Sequence, residues 1–257
     1  MMRRRLSVCI VAMNEADRIG ECLRSADFAD EWIVVDSHST DETREIAASL
    51  GARVIERDWP GWVEQKNFAV DQATHDWVLC LDADEWVSPE MRQSVLAALE
   101  RDDGTDGFEF ARLTRYMGRW IRHGGWYPDR KLRLFRRDAG RFEGRNPHDR
   151  VRVKGRVERL EGDILHDPFR SLSDHLRTID RYTTVAAEEK SARGVRVSVV
   201  DLVLRPFGKF VRMYVVKGGW LDGLAGFIVA ITGSFYVFLK YAKLRGLNQE
   251  RVSRKGF

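Results

Sequence analysis

Hydrophobic and polar positions alternate along the first hundred residues in blocks. Leu6 to Ala12 is an almost wholly apolar run, the pattern of a strand covered on both faces. Asp17 to Ala26 has helical spacing, and Glu31 to Asp36 is a second strand, ending in an acid. Asp41 to Leu50 is a helix stopped at Gly51, Arg53 to Arg57 a short strand and Val63 to Gln72 a helix. Trp77 to Leu81 is a fourth strand, and Pro89 to Leu99 a helix behind Ser88, with Ser as N-cap and Pro in the first turn. Strands alternating with helices predict an α/β protein with a mostly parallel, Rossmann-like sheet. In such sheets ligands sit outside the carboxyl ends of the strands. Those ends carry Asn14 and Glu15, Asp36 to Asp41, and Asp82 to Glu85, all acidic or amidic clusters with no Gly-rich phosphate loop among them.

Beyond residue 105 the pattern shifts to short alternating strands, Gly107 to Leu113 and Lys131 to Arg136, around a loop rich in Gly, Trp and Arg. After Asp167-Pro168 it becomes helical, with one long helix over Arg170 to Arg193. From Arg205 to Lys217, Phe207, Phe210, Val211, Tyr214 and Val215 share one helix face while Arg205, Lys209 and Arg212 share the other. Pro206 is expected to open this helix and Gly218-Gly219 to close it. Gly223 to Leu239 then carries no charge, the short limit for crossing a bilayer. A basic amphipathic helix followed by a marginal apolar one predicts in-plane membrane attachment.

Composition sharpens this picture in one respect. The formal charge of +4 hides an uneven distribution: residues 1–111 hold 11 Lys+Arg against 24 Asp+Glu, or -13, and residues 112–257 hold 32 against 15, or +17. An acidic half facing a nucleotide calls for a cation, and a basic half suits phosphates or an anionic bilayer. Mean hydropathy of -0.39 excludes a polytopic membrane protein. Three scattered Cys without a CxxC argue against a disulfide framework and a structural zinc. The run after the basic Met1 to Arg5 stops at Asn14-Glu15 without a small-residue cleavage site, so it reads as a strand rather than a signal peptide. No nucleic-acid module is recognisable, and the aromatics are not interleaved with the charges as stacking platforms require.

Asp82-Ala83-Asp84 stands at a strand end, where a period of two points both carboxylates one way and suits Mg2+ or Mn2+ shared with phosphate oxygens. The strings LSVCIVAMNE, IVVDSHSTDET and WVLCLDADE resemble, in order and spacing, the sugar-nucleotide motifs of glycosyltransferase family 2, which has the GT-A nucleotide-diphospho-sugar transferase fold. WYPDRKLRLFRR, NPHD, GGWLDGLAGF and FLKYAKL resemble the subgroup containing lipopolysaccharide-core glucosyltransferases. The resemblance implies that Asn14 and Glu15 lie at the nucleotide, and that Asp36 binds base or ribose with Ser39 and Asp41 shaping the same turn. It implies that Asp82 faces the nucleotide sugar, and that Asp84, with Asp82 beside it, binds the metal. The alternative for Asp36 and Asp41 is a turn-forming or helix-capping role.

An inverting transfer needs a base for the acceptor hydroxyl. The subgroup implies a His-Glu pair, where this chain has His148-Asp149, so Asp149 is the candidate and Asp129 of YPDR its competitor. Arg130, Lys131, Arg133, Arg136 and Arg137 form a basic run, either an exposed strand face or a source of contacts to diphosphate or phosphorylated acceptor, with Arg130 and Arg133 as candidates. Trp120, Trp126 and Tyr127 are candidates for stacking on a sugar ring, with core packing the alternative, whereas His123 and His166 read as structural, with lining the site the alternative for His166.

The expected organisation is a catalytic domain over residues 1–170, divided into a sugar-nucleotide part (1–111) and an acceptor-side part (112–170), then a helical membrane-associated region over 171–257. The expected activity is metal-assisted, inverting transfer of a hexose, glucose from UDP-glucose, to a lipid-linked saccharide such as lipopolysaccharide core. The expected place is the cytoplasmic face of the bacterial inner membrane, peripheral or monotopic. The alternatives are a family 2 transferase for another envelope glycan or a polyprenyl-phosphate sugar, and an inactive sugar-nucleotide binder at the membrane.

Overall fold

The computed structural model describes residues 3–101, 103–145 and 148–255, without the side chains at 145, 148 and 250–255. Asn146 and Pro147 of the NPHD string, and the side chain of His148, therefore lie outside the described residues. The chain divides into two compact units, Met1–Leu113 with Pro128–His166, and Thr114–Tyr127 with Asp167–Phe257. Thr114–Tyr127 thus groups with the C-terminal helices.

The first unit begins with β1 (Leu6–Ala12), α1 (Ile19–Ser25), β2 (Glu31–Asp36), α2 (Thr43–Ser49), β3 (Arg53–Glu56), α3 (Trp62–Asp71) and β4 (Trp77–Asp82). It continues through β5 (Glu85–Val87), α4 (Pro89–Glu100) and β6 (Thr105–Tyr116), whose last residues enter the second unit with β7 (Arg119–Ile121). β8 (Asp129–Arg136), β9 (Gly140–Arg145), β10 (His148–Val153) and β11 (Arg156–His166) complete it. The main sheet runs β3-β2-β1-β4-β8-β6-β11-β5. β1 to β4 are mutually parallel where they pair, while β8 lies antiparallel to both β4 and β6. β9 and β10 form a separate antiparallel hairpin.

β1 is apolar along its length because both faces are covered. Leu6, Val8, Ile10 and Ala12 enter one core with Cys22, Leu23, Met91 and Val95. Cys9 and Val11 enter the other with Ala69, Val70 and Phe142. The α/β prediction holds through β4, with helix starts differing by a residue or two. β5 and β9 to β11 go beyond what the sequence pattern predicted. β11 carries five charged residues in eleven, with Ile164 its fully buried apolar residue, so its place is set by pairing rather than by periodicity.

β11 also fixes the start of α4. The Ser88 hydroxyl accepts from Met91 N–H at 3.2 Å and Asp163 N–H at 3.1 Å, and Ser88 N–H donates to the Asp163 carbonyl at 3.1 Å. Gly162 sits at φ +91°, and a Cβ there would stand 2.1 Å from the Met91 nitrogen.

The second unit contains α5 (Leu172–Ala192), α6 (Val199–Val211), a π turn (Arg212–Val216), a 3₁₀ turn (Gly219–Asp222) and α7 (Gly223–Lys255). α7 packs on both α5 and α6. Lys243 of α7 pairs with Asp180 of α5 at 2.6 Å, and Asn248 donates to the Val195 carbonyl at 2.8 Å. The expectation that Pro206 opens a helix is corrected. The helix starts at Val199, where Ser198 and Asp201 form a reciprocal capping box that outweighs the proline, and Pro206 lies inside it. The helix does not continue regularly to Lys217 either, because its last turn widens to π geometry. The apolar stretch 223–239 is only the first half of α7.

Gly162→Ala is expected to lower stability by about 3 kcal/mol, since backbone strain of about 1–3 kcal/mol is joined by a backbone clash. Gly104, at φ +75° with nothing within 4 Å of where a Cβ would stand, is the control. Denaturant midpoints should show a much smaller loss for Gly104→Ala.

Candidate active site

The loops after β1 and β2 are sewn together by the residues expected at the nucleotide. Asn14 takes φ +56°, its N–H donates to Ser39 Oγ at 2.8 Å, and its Oδ1 accepts from Thr40 N–H at 2.8 Å. Glu15 N–H donates to Thr43 Oγ1 at 2.8 Å. Asp36, with no exposed surface, accepts from the Ser39 N–H at 2.8 Å and from the Ser39 hydroxyl. Asp41 accepts from Ala16 N–H and Thr43 N–H, each at 3.1 Å. Asp36 and Asp41 thus act as loop-shaping aspartates, and Glu42 rather than Asp41 is the N-cap of α2.

Asp82 is the last residue of β4 and Asp84 lies in the turn beyond it, so the strand period of two does not extend across the pair. Their carboxylates meet different partners. Asp82 Oδ1 lies 2.8 Å from Lys66 Nζ, and Oδ2 accepts from Arg133 at 3.0 Å. Arg133 also reaches Glu85 at 3.1 Å, and Glu85 accepts from Arg112 at 3.0 Å. Arg112 grips Asp129 Oδ2 through two nitrogens at 2.7 and 3.1 Å. At the other end, Lys66 lies 3.0 Å from Asp149 Oδ2. The result is one alternating chain of charges: Asp149, Lys66, Asp82, Arg133, Glu85, Arg112, Asp129. Both candidate bases are its ends.

Burial alone would push the Asp82 and Glu85 carboxyls up, but the neighbouring cations hold both below the ordinary carboxylate range: Lys66 and Arg133 at Asp82, Arg133 and Arg112 at Glu85. Burial alone would likewise lower Lys66 and Arg133, and the carboxylates raise both instead. Every central member stays charged at neutral pH.

Arg133 is therefore not part of an exposed strand face; it is 5% exposed. Arg130 is exposed. Lys131 pairs with Asp129 at 3.2 Å, Arg136 lies 3.5 Å from Asp138, and Arg137 donates to the Ala73 carbonyl. Trp120, His123, Trp126 and Tyr127 belong to the second unit. There His123 fastens to Asp222 at 2.9 Å, and Trp126 packs edge-on to Tyr116 at 5.4 Å.

The residues at the rim suit a divalent cation. Asp84 Oδ2 stands 3.5 Å from His166 Nε2, pairing a hard oxygen donor with an imidazole. Among the described residues no cluster of three or more His, Cys, Asp or Glu forms a closed metal cage. An ion here would complete its shell with phosphate oxygens and water.

Lys66 and Arg112 were not among the candidates, and Glu85 was read only as part of the strand-end cluster Asp82 to Glu85. Lys66 had a signal: it stands three and four residues before Ala69 and Val70, a cation within the buried stripe of α3. Arg112 had none, since its partners come from β5 and β8.

Lys66→Met is expected to cost about 3 kcal/mol in denaturant unfolding, because it leaves buried carboxylates uncompensated. For the intact protein, depressed carboxyls contribute stability that is complete above the ordinary range, about pH 4–5, and is lost only as pH falls through their lower folded values. Unfolding followed against pH should show this contribution flat from about pH 5 upward and falling in stronger acid. Lys66→Met should move that fall to higher pH.

The chain matches the family model described as Glycosyl transferase family 2 over residues 7–153. It is 31% identical to the lipopolysaccharide core biosynthesis glycosyltransferase LpsC of Rhizobium meliloti (strain 1021), over 93% of this chain and 91% of that one. It is 29% identical to an uncharacterized glycosyltransferase of Rickettsia typhi, over 95% and 88%. Among solved structures it resembles a mannosyltransferase from Pyrobaculum calidifontis in complex with GDP-Man and Mn2+, with TM-score 0.58, 15% identity and coverage of 95% and 88%. It also resembles S. aureus TarS 1-349 in complex with UDP-GlcNAc, with TM-score 0.52, 15% identity and coverage of 98% and 92%. With the strand-end loops and sheet order described above, these matches place the chain in glycosyltransferase family 2, with a GT-A fold and kinship to lipopolysaccharide core biosynthesis.

Proposed function

We propose that the protein transfers glucose from UDP-glucose to a lipid-linked saccharide such as lipopolysaccharide core, inverting the anomeric carbon. The observation that carries this reading is the charge chain, which gathers Asp82, Asp129 and Asp149 on one set of cations near the carboxyl end of β4. The relative's role in lipopolysaccharide core biosynthesis supports the acceptor class.

In the proposed reaction an acceptor hydroxyl oxygen bonds to the sugar C1 opposite the diphosphate. The C1–O bond to the diphosphate breaks with its electron pair, and the hydroxyl proton passes to a carboxylate. Asp149 is the base. Among the described residues it is held through Oδ2, by Lys66, which leaves Oδ1 for the proton. Asp129 is engaged at both oxygens, by Arg112 and Lys131. Asn14, Glu15, Asp36, Ser39 and Asp41 shape the nucleotide's pocket, and Asp82 with Arg133 orients the donor. Arg130 is exposed for acceptor contact. Asp84 would hold Mg2+ or Mn2+ with His166 rather than with the expected Asp82, whose oxygens face Lys66 and Arg133; the ion when bound offsets charge on the leaving diphosphate.

The second unit suits the cytoplasmic face of a membrane. By unit, the first carries 24 Lys+Arg against 31 Asp+Glu and the second 19 against 8, so the second unit carries +11, of which +8 falls in residues 167–257. Exposed apolar side chains gather there too, among them Val203, Leu204, Phe207, Trp220 and Leu224. Residues Gly219–Gln249 have a mean hydropathy of 1.6 over their most apolar window and are long enough to span. The second half of α7, however, is tied to the polar helix α5 through Lys243 and Ser191, which favours an in-plane, monotopic attachment.

Thermal-shift screening of UDP-, GDP- and TDP-sugars with and without Mn2+ is expected to single out UDP-glucose, with the shift depending on metal. Asp149→Asn should lose about 100-fold or more in turnover while still binding donor, a general-base effect. Near-normal turnover in Asp149→Asn together with loss in Asp129→Asn reverses the assignment. Cosedimentation should require anionic lipid; equal recovery with neutral vesicles overturns the electrostatic attachment.

A further inference from the structure

The helical unit contains a cavity of about 360 Å³ that has no part in the transfer chemistry above. Its walls come from α5, the 124–126 loop, α6 with its π turn, and α7, all within that unit. Lys209, Arg212 and Lys217 line it, and no Asp or Glu does. Among the described residues none of these three cations makes an ion pair or hydrogen bond through its side chain. Elsewhere in the same unit Lys243 and Arg205 are each paired to an aspartate at 2.6 Å.

Three like charges around one cavity repel. Burial, then Arg212 and Lys217, lower the pKa of Lys209. The remaining titratable wall adds no charge, since burial holds His175 down at about 4, with Tyr116 Oη 2.8 Å from its Nδ1. The backbone is shaped to admit the cations. Gly125 sits at φ +85°, and a Cβ there would lie 2.7 Å from Lys217 Nζ. Such an arrangement is relieved by an oxyanion with several acceptor atoms, and Arg212 offers the planar fork that phosphate takes bidentately. The volume lies in the range of small-molecule pockets, about 300–1,000 Å³, so it exceeds the needs of a lone ion. The π turn that carries Arg212 also presents Val215 and Val216, 58% and 74% exposed. The same turn thus offers, outside the cavity, apolar surface suited to the chain of an amphiphile.

We propose that this cavity binds the phosphate or diphosphate headgroup of an amphiphile through Lys209, Arg212 and Lys217. The chemistry is the same whether the group belongs to a bilayer phospholipid or to a phosphorylated lipid-linked saccharide. The site stands on the second unit alone and does not depend on which sugar is transferred.

The test uses the full chain in EDTA without nucleotide sugar, with inorganic pyrophosphate as probe and phosphatidylglycerol in phosphatidylcholine vesicles as second probe. Pyrophosphate is expected to raise Tm. Arg212→Gln/Lys217→Gln should weaken that response at least about tenfold, as loss of charge-assisted hydrogen bonds predicts. Arg193→Gln/Arg196→Gln removes the same charge from exposed positions of the same unit and should respond like the wild type. If pyrophosphate also releases the wild type from anionic vesicles, the group is a bilayer headgroup. If Tm rises and the vesicles are retained, it is the phosphate of a separate saccharide ligand. Equal responses of the two double variants, or no response of the wild type, overturn the proposal. The assay contains no sugar donor, so failure of the transfer reading leaves its result unchanged.

Discussion

Arg133 is the hinge of the catalytic unit. Its guanidinium is buried, and a buried cation is tolerated only with carboxylates at hydrogen-bonding distance. It finds Asp82 at the end of β4 and Glu85 at the start of β5. That requirement links strands far apart in sequence: β8 must lie beside β4 for Arg133 to reach, and β6 beside β8 for Arg112 to meet Glu85 and Asp129. The antiparallel insertion of β8 into an otherwise parallel run is thus coupled to charge compensation. Lys66 extends the same logic to the β9–β10 hairpin through Asp149. Fold and site are held by one set of contacts, so a change at either end of the chain of charges reaches the other.

Much of the parallel half was legible in the sequence because both-face burial leaves continuous apolar runs such as Leu6 to Ala12, and because Ser88-Pro89 announces a helix start. β9 to β11 were not legible. Their residues are charged, β11 pairs with the distant β5, and Gly140 and Gly162 matter through what lies beside them, Phe135 and Met91. The acids of the candidate site stood out by position at strand ends; of their cations Arg133 was a candidate within the basic run, while Lys66 and Arg112 were not. Lys66, Arg112 and Arg133 act through partners contributed by other elements, and a one-dimensional alternation rule read Arg133 as surface. Pro206 misled for a related reason, since the upstream capping box of Ser198 and Asp201 decided where its helix begins.

The charge of the chain changes meaning when it is divided by unit rather than by halves. Twelve Lys+Arg between residues 128 and 166 belong to the first unit, where several are paired with acids. The excess that remains lies in the second unit, mostly in residues 167–257, which also carry exposed apolar side chains. The first unit is left at -7 with most of its buried cations paired, and the second at +11 beside exposed apolar side chains.

The π turn at Arg212–Val216 has a consequence of register. In a regular α-helix the residue seven beyond Lys209 falls back under it, and that residue is Val216. One extra residue in the wider turn delays the phase, so Lys217 joins Lys209 and Arg212 at the cavity while Val215 and Val216 face outward. The width of this turn sets whether two cations or three reach the wall.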